Sequence, residues 1–157
     1  MPWLIVALLS GVVAGVGFWR GTPSGIAFET MPGAAGVLFG LLMYRAQSLA
    51  TDAKAKAALG TQGGWPLRAA GALSLTAAIA GAIDVVVWVQ SKKSAFGGFA
   101  LPLCAVAFVL LMITALRLSL GSSRKTHFQA LALASVVNAA ASVWLFVTLQ
   151  LPELTGK

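Results

Sequence analysis

Long apolar stretches, separated by short polar or glycine-rich segments, set the pattern of this chain. Five of them approach the length of about 20 residues that a helix needs to cross a bilayer: residues 4–19, 26–44, 69–89, 99–118 and 130–151. They are continuously apolar and do not alternate as the strands of a membrane β-barrel would. The pattern predicts an all-α integral membrane protein, a bundle of five transmembrane helices.

The first stretch leaves four spans as an alternative. An apolar segment at this place is also typical of a signal peptide, which would be removed. No Lys or Arg precedes the segment, however, and Trp19 and Arg20 stand where a small-residue cleavage site would be expected. We therefore expect the first stretch to be retained as a span.

Composition supports a membrane location and excludes most soluble classes of protein. Of the 157 residues, 59% are apolar and 10% are charged, and the mean hydropathy is +0.89. A soluble domain carries about 25% charged residues. One cysteine and one histidine are too few for a zinc, haem or iron–sulfur site built by this chain alone. We expect no metal, no cofactor and no enzymatic activity.

The Lys and Arg residues predict the orientation of the chain. With five spans, seven of the 11 fall on one side, and short loops rich in Lys and Arg stay cytoplasmic. The N-terminus is therefore predicted to be cytoplasmic. The alanine- and glycine-rich composition favours a bacterial plasma membrane, the inner membrane. The seven residues on the cytoplasmic side are Arg45, Lys54, Lys56, Arg68, Arg117, Arg124 and Lys125.

The longest loop, residues 45–68, lies on the predicted cytoplasmic side. Its alanine-rich first part predicts a short helical extension of the second span. No segment is long enough for a separate soluble domain, so residues 1–157 are expected to form one domain. Near a membrane, the net charge of +7 favours contact with anionic lipid headgroups over nucleic acid. The residues expected to form this basic patch are Lys54, Lys56, Arg124, Lys125 and His127.

Two acidic residues inside the predicted spans are the strongest candidates for chemistry. Asp84 lies in the outer half of the third stretch, and Glu29 lies near the outer start of the second. An ionisable side chain at this depth is costly, so it faces a partner or a wet cavity. Two carboxyl groups at one apolar site could share a proton, which predicts a proton or cation site. The alternative is structural, with Asp84 paired to Arg20, Lys92 or Lys93 and Glu29 opening a helix.

Small and polar residues recur at helical spacing on the third and fifth stretches. Asn138, Ser135 and Ser142 share one helical face, and Thr76 and Gly81 share another. Such faces let helices approach closely and form hydrogen bonds between them. We therefore predict that the third and fifth spans pack together, within one chain or between two; a lined pathway is the alternative. The residues predicted to pack helices are Gly11, Gly15, Gly36, Gly40, Gly81 and Ala139.

Two functions follow from these features. The scarcity of ionisable residues and the many small faces favour an accessory or interaction subunit, packed with other membrane subunits or with copies of itself. The alternative is a small proton- or cation-coupled transporter or channel that uses Asp84 and Glu29. A shift of 70 residues aligns Pro32 with Pro102, as expected of a duplicated pair of spans in a transport fold.

Overall fold

The computed structural model describes residues 2–22, 26–49, 64–91 and 97–156, of which 95% are helical, with no strand among them. The predicted all-α class is therefore confirmed. The long helices are α1 (Pro2–Arg20), α2 (Met31–Leu49), α3 (Gly64–Ser91), α4 (Ala100–Gly121) and α5 (Lys125–Leu145). The short elements are a π-helical turn Ile26–Thr30, a 3-10 turn Gly97–Phe99, a π-helical turn Phe146–Gln150 and α6 (Leu151–Thr155).

Four helical stretches are long and apolar enough to cross a membrane: Trp3–Arg20, Arg68–Ser91, Ala100–Gly121 and Lys125–Thr155. They match the first, third, fourth and fifth apolar stretches of the sequence. The second stretch also forms a helix, α2, which is not among those four. Large apolar side chains cover much of the outer surface, as is typical of a surface that meets lipid. These features fit a membrane helical bundle.

Helix α2 lies at the centre of the bundle. It contacts each of the other four long helices, and nine of its 19 residues are buried. One face of α2 stays exposed and is apolar, with Leu38 and Leu41 on it. The helix continues to Leu49, into the predicted extension; the rest of that extension, with Lys54 and Lys56, lies outside the described residues.

Glycines bring α1 and α2 unusually close together. A Cβ atom at Gly33 would lie 2.6 Å from the backbone nitrogen of Ala14, and one at Gly40 would lie 2.7 Å from the carbonyl oxygen of Trp3. Side chains are excluded at both places because each Cβ would meet backbone. Since the earlier residue of α2 meets the later residue of α1, the two helices are antiparallel.

The glycines predicted to pack helices behave differently from one another. Gly36 faces Ser10 of α1 at the close contact, and a Cβ at Gly11 would make an ordinary contact of 3.6 Å with Val37. Gly15, by contrast, is exposed, and a Cβ there would meet nothing within 4 Å. Gly15 therefore makes no close helix contact with the described residues. Gly33, which the pattern did not single out, makes one of the closest.

Helices α1 and α3 run parallel, and in the described residues the main partners of α3 differ from those of α5. Trp3 lies against Gly71, and further along both helices Val13 approaches Gly81. Helix α3 packs mainly on α1 and α4, whereas α5 packs mainly on α4 and α2. Among the described residues, the faces around Gly81 and Ala139 therefore pack mainly on other helices, and a contact between them across two chains stays a prediction. Helix α4 stands between the two helices.

The apolar core lies between α2 and the α4–α5 hairpin. Phe39, Phe108 and Phe128 are fully buried there, and the rings of Phe39 and Phe108 meet edge to face at 5.5 Å. Ala139 belongs to the same core. Here large apolar side chains fill the space between the helices, whereas between α1 and α2 the backbones themselves lie close together. Trp3 joins the core from α1, its ring 6.4 Å from that of Phe39.

Candidate functional site

The end of α1 and the π-helical turn before α2 bring Arg20 and Glu29 together. Helix α1 ends at Arg20; Gly21 follows with φ 61°, and its N–H donates to the carbonyl oxygen of Phe18 at 3.1 Å. Glycine favours this left-handed geometry at a helix C-terminus. The turn Ile26–Thr30 then contacts both α1 and α3. As a result, two residues nine positions apart face each other across the turn.

Arg20 is held between a carboxylate and an aromatic ring. Its Nη1 donates to Oε1 of Glu29 in an ion pair whose side chains are 1% and 0% exposed. Its guanidinium carbon lies 3.8 Å from the ring centroid of Trp88 on α3, a cation–π contact. A buried ion pair is strongly destabilised when one partner is removed. The arginine therefore fixes the position of Glu29 relative to both α1 and α3.

Asp84 is fully buried beside Glu29. It lies one helical turn before Trp88, and its carboxyl group interacts electrostatically with that of Glu29, which is fully buried as well. The structure thus brings together the two acids that the sequence places at similar depth. Two ionised carboxylates that are buried together repel each other, so such a pair can share a proton.

Two π-helical turns close this end of the bundle. The turn Ile26–Thr30 carries Glu29 and contacts the turn Phe146–Gln150, whose Gln150 is fully buried. A π-helical turn is rare and frequently marks a functional site. Gln150 was not among the residues predicted from sequence. It stands at the end of an apolar stretch, where an uncharged polar residue gives little signal.

Prolines account for both π-helical turns. Each turn is followed at its second residue by a proline, Pro32 in α2 and Pro152 in α6. Proline has no N–H, and its ring clashes with the carbonyl group four residues earlier. A wider turn makes room for the ring at that carbonyl. Pro102 needs no such turn because it lies in the first turn of α4, where proline is tolerated.

The polar face predicted on the fifth stretch does not reach Glu29 and Asp84. Each of its side chains donates to a carbonyl oxygen four residues earlier in α5: Ser135 to Leu131 at 2.8 Å, and Asn138 to Ala134 at 2.8 Å. Ser142 donates to Asn138 in the same way. Thr76 on α3 is exposed and donates to Ala72. Among the described residues these groups satisfy their own helices rather than bridge two.

The described basic residues of the predicted cytoplasmic patch are all exposed. Arg124, Lys125 and His127 stand at the start of α5. Arg68 at the start of α3 and Arg117 near the end of α4 are exposed as well. In a bundle of antiparallel neighbours these positions share the end opposite to Glu29 and Asp84. The chain therefore exposes basic residues at one end and buries Arg20 at the other.

Comparisons with family models, curated proteins and solved structures give no match for this chain. Within the described residues, no group of three or more His, Cys, Asp and Glu residues could hold a metal ion. The candidate site is therefore the cluster of Arg20, Glu29 and Asp84. We call Glu29 and Asp84 the carboxyl pair.

Proposed function

We propose that this chain is a small multi-pass membrane protein that transports protons or a proton-coupled solute through its carboxyl pair. The observation that carries the proposal is the complete burial of two interacting acids, Glu29 and Asp84, beside the Arg20 ion pair. If a proton shared by the two acids leaves, two buried negative charges face one arginine, Arg20. Binding and release of that proton would therefore change how strongly the ion pair holds Glu29 in place.

Binding and release of the proton would move the π-helical turn that carries Glu29. Protonation of Glu29 would weaken its ion pair with Arg20, because a neutral carboxyl group attracts the guanidinium less strongly. The turn Ile26–Thr30 would then be held less tightly to α1. Since this turn also contacts the turn Phe146–Gln150, its movement would open the end of the bundle. Alternating access in transporters uses such local rearrangements around a fixed site.

We further propose five spans, with the N-terminus cytoplasmic, in a bacterial inner membrane. Helix α2 would cross the membrane packed against the other four, with Leu38 and Leu41 exposed toward lipid. The exposed basic residues at the Arg124 end support this orientation. Reporter fusions after Lys56 and after Lys157 should report opposite sides of the membrane. Reporters on the same side would contradict the topology.

Proton flux into liposomes tests the transport function. The purified protein is reconstituted with a pH-sensitive dye inside, and a proton gradient is imposed. We expect flux above that of empty liposomes, and we expect Asp84→Asn to abolish it in protein that stays folded. Glu153→Gln is the matched control, because Glu153 is an exposed acid on α6 and its loss should leave flux unchanged.

The proton flux of the wild-type protein decides whether the chain transports protons. Flux equal to that of empty liposomes, with a proton gradient alone and with candidate cations, would reject transport. Equal loss of flux in Asp84→Asn and Glu153→Gln would reject the carboxyl pair as the site.

An accessory role remains the second candidate because a large apolar groove runs between α4 and α5. It has a volume of about 770 Å³ and is lined by small and aliphatic residues such as Ala105, Ala140 and Val143. Alanine-lined helix surfaces let a further helix approach closely. The occupant we propose in this case is a second copy of the chain. The grooves of the two copies would face each other across a two-fold axis.

Crosslinking tests this second candidate. Cys104 is buried, so an added Val143→Cys is the accessible thiol in the described chain. We expect Val143→Cys to form a crosslinked dimer in native membranes, and Ile5→Cys on the exposed face of α1 to form none. Crosslinking at neither position, with the protein monomeric in mild detergent, would mean that lipid covers the groove.

A further inference from the structure

A small cavity lies where α1, α2 and α3 meet, about one helical turn from the carboxyl pair. Its volume is about 10 Å³, and Ser10, Gly33, Gly36, Ser74 and Gly81 are among its lining residues. The glycines that bring α1 and α2 together also leave this space, because a side chain at Gly36 would occupy it. The cavity belongs to the interior of the bundle.

Two serine hydroxyl groups line this cavity without a hydrogen-bond partner among the described residues. Ser10 and Ser74 are 2% and 1% exposed, and the Oγ atom of each lacks a partner there. Elsewhere the buried hydroxyl groups behave differently: Thr114 and Ser135 each donate to a carbonyl oxygen of their own helix. A serine inside a helix has that backbone bond within reach. Ser10 and Ser74 instead point into the cavity.

We propose that one water molecule is bound in this cavity and bridges Ser10 and Ser74. Buried polar groups in proteins nearly always have a partner, and a cavity of about 10–15 Å³ is the smallest that holds a water molecule. Such a molecule needs two to four polar partners, and the two hydroxyl groups supply the first two. The bridge ties α1 to α3 beside the glycine contact with α2.

This inference is independent of the proposed transport function. The nearest elements of the carboxyl pair lie further along α3 and before α2, and neither Glu29 nor Asp84 lines the cavity. The bridging molecule is structural in this proposal, and it holds whether or not protons cross the membrane. The two proposals can therefore fail separately.

The sign of a stability change tests for the water molecule. Ser10→Ala, Ser74→Ala and the double variant are compared with the wild type by thermal unfolding in detergent. With a bridging water, each single variant should lower Tm by about 2–4 °C, because a buried hydrogen bond is lost. The double variant should lose less than the sum of the two, since both changes break the same bridge. Without a water, each alanine removes an unpartnered polar group, so Tm should stay or rise.

A direct measurement accompanies the variants. Solid-state NMR that transfers magnetisation from water to serine should give signals at Ser10 and Ser74, deep in the bundle. Ser135 is the matched control, because it is fully buried and bonded to its own helix, and it should give none. Absence of transfer at both Ser10 and Ser74, or a Tm that rises in both single variants, would overturn the proposal.

Discussion

In the first three helices several buried polar side chains face other helices, whereas in the α4–α5 hairpin they bond to the helix that carries them. Thr30 donates across to the carbonyl oxygen of Ala14 on α1, and Arg20 pairs with Glu29. In the hairpin, Thr114 and Ser142 donate within their own helices. Both halves are similarly apolar, so the difference lies in what the polar groups meet.

Packing differs between the two halves in the same sense. Glycines let the backbones of α1 and α2 approach, so that a Cβ at Gly33 or Gly40 would meet backbone. The hairpin is held instead by large apolar side chains, with Phe108 and Phe128 fully buried. Close backbones leave little room for apolar filling, and polar groups can then reach between helices. The first half is built to hold polar contacts, and the hairpin to exclude them.

Breaking the buried ion pair should have the largest effect. We expect Arg20→Gln to lower the free energy of unfolding by about 3–5 kcal/mol, since it leaves Glu29 buried without its counter-charge. Arg124→Gln in the hairpin is the control, and its effect should stay within about 0.5 kcal/mol because Arg124 is exposed. Equal losses in reversible unfolding from mixed micelles would show that the two halves do not differ in this way.

Filling the glycine contact should have the next largest effect. We expect Gly33→Ala to lower the free energy of unfolding by about 1–3 kcal/mol, because the added Cβ would lie 2.6 Å from a backbone nitrogen. Gly15→Ala is the matched control on α1. No atom lies within 4 Å of its added Cβ, and alanine favours a helix, so it should stabilise by about 0.5–1 kcal/mol. A tolerated Gly33→Ala would mean that α1 and α2 can move apart cheaply.

The extent to which sequence predicts this molecule follows from what each signal depends on. Apolar length depends on local composition, so the helical class could be predicted, and counting the helical rise placed Glu29 and Asp84 at similar depth. Which of several basic residues pairs with an acid depends on the geometry of a turn. The sequence alone leaves Arg20 as one of several possible partners of an acid. The left-handed Gly21 and the π-helical turn Ile26–Thr30 bring Arg20 to Glu29.

Contacts of small residues are harder to predict because they depend on the direction that a helix face takes. Gly15 and Gly33 look alike in sequence, yet one is exposed and the other meets backbone. Similarly, within the described residues the small face of α3 meets α1, and the polar side chains of α5 bond to their own backbone. A proline inside an apolar stretch or just after one, as at Pro32 and Pro152, is a signal that could have located the π-helical turns.

The smallest effect is expected for the polar face of α5. Asn138 is half-buried, and its side chain donates to Ala134 at 2.8 Å in its own helix. We expect Asn138→Leu to change the free energy of unfolding by less than about 1 kcal/mol, because the local bond it loses competes with ordinary backbone bonding. Ser74→Ala, which removes a hydroxyl group that faces between helices, is the comparison in the first half. If Asn138→Leu proves more damaging than Ser74→Ala, or if it dissociates an oligomer seen by native mass spectrometry, Asn138 bonds to a second chain. The hairpin would then also organise polar contacts, and the contrast between the two halves would hold only inside one chain.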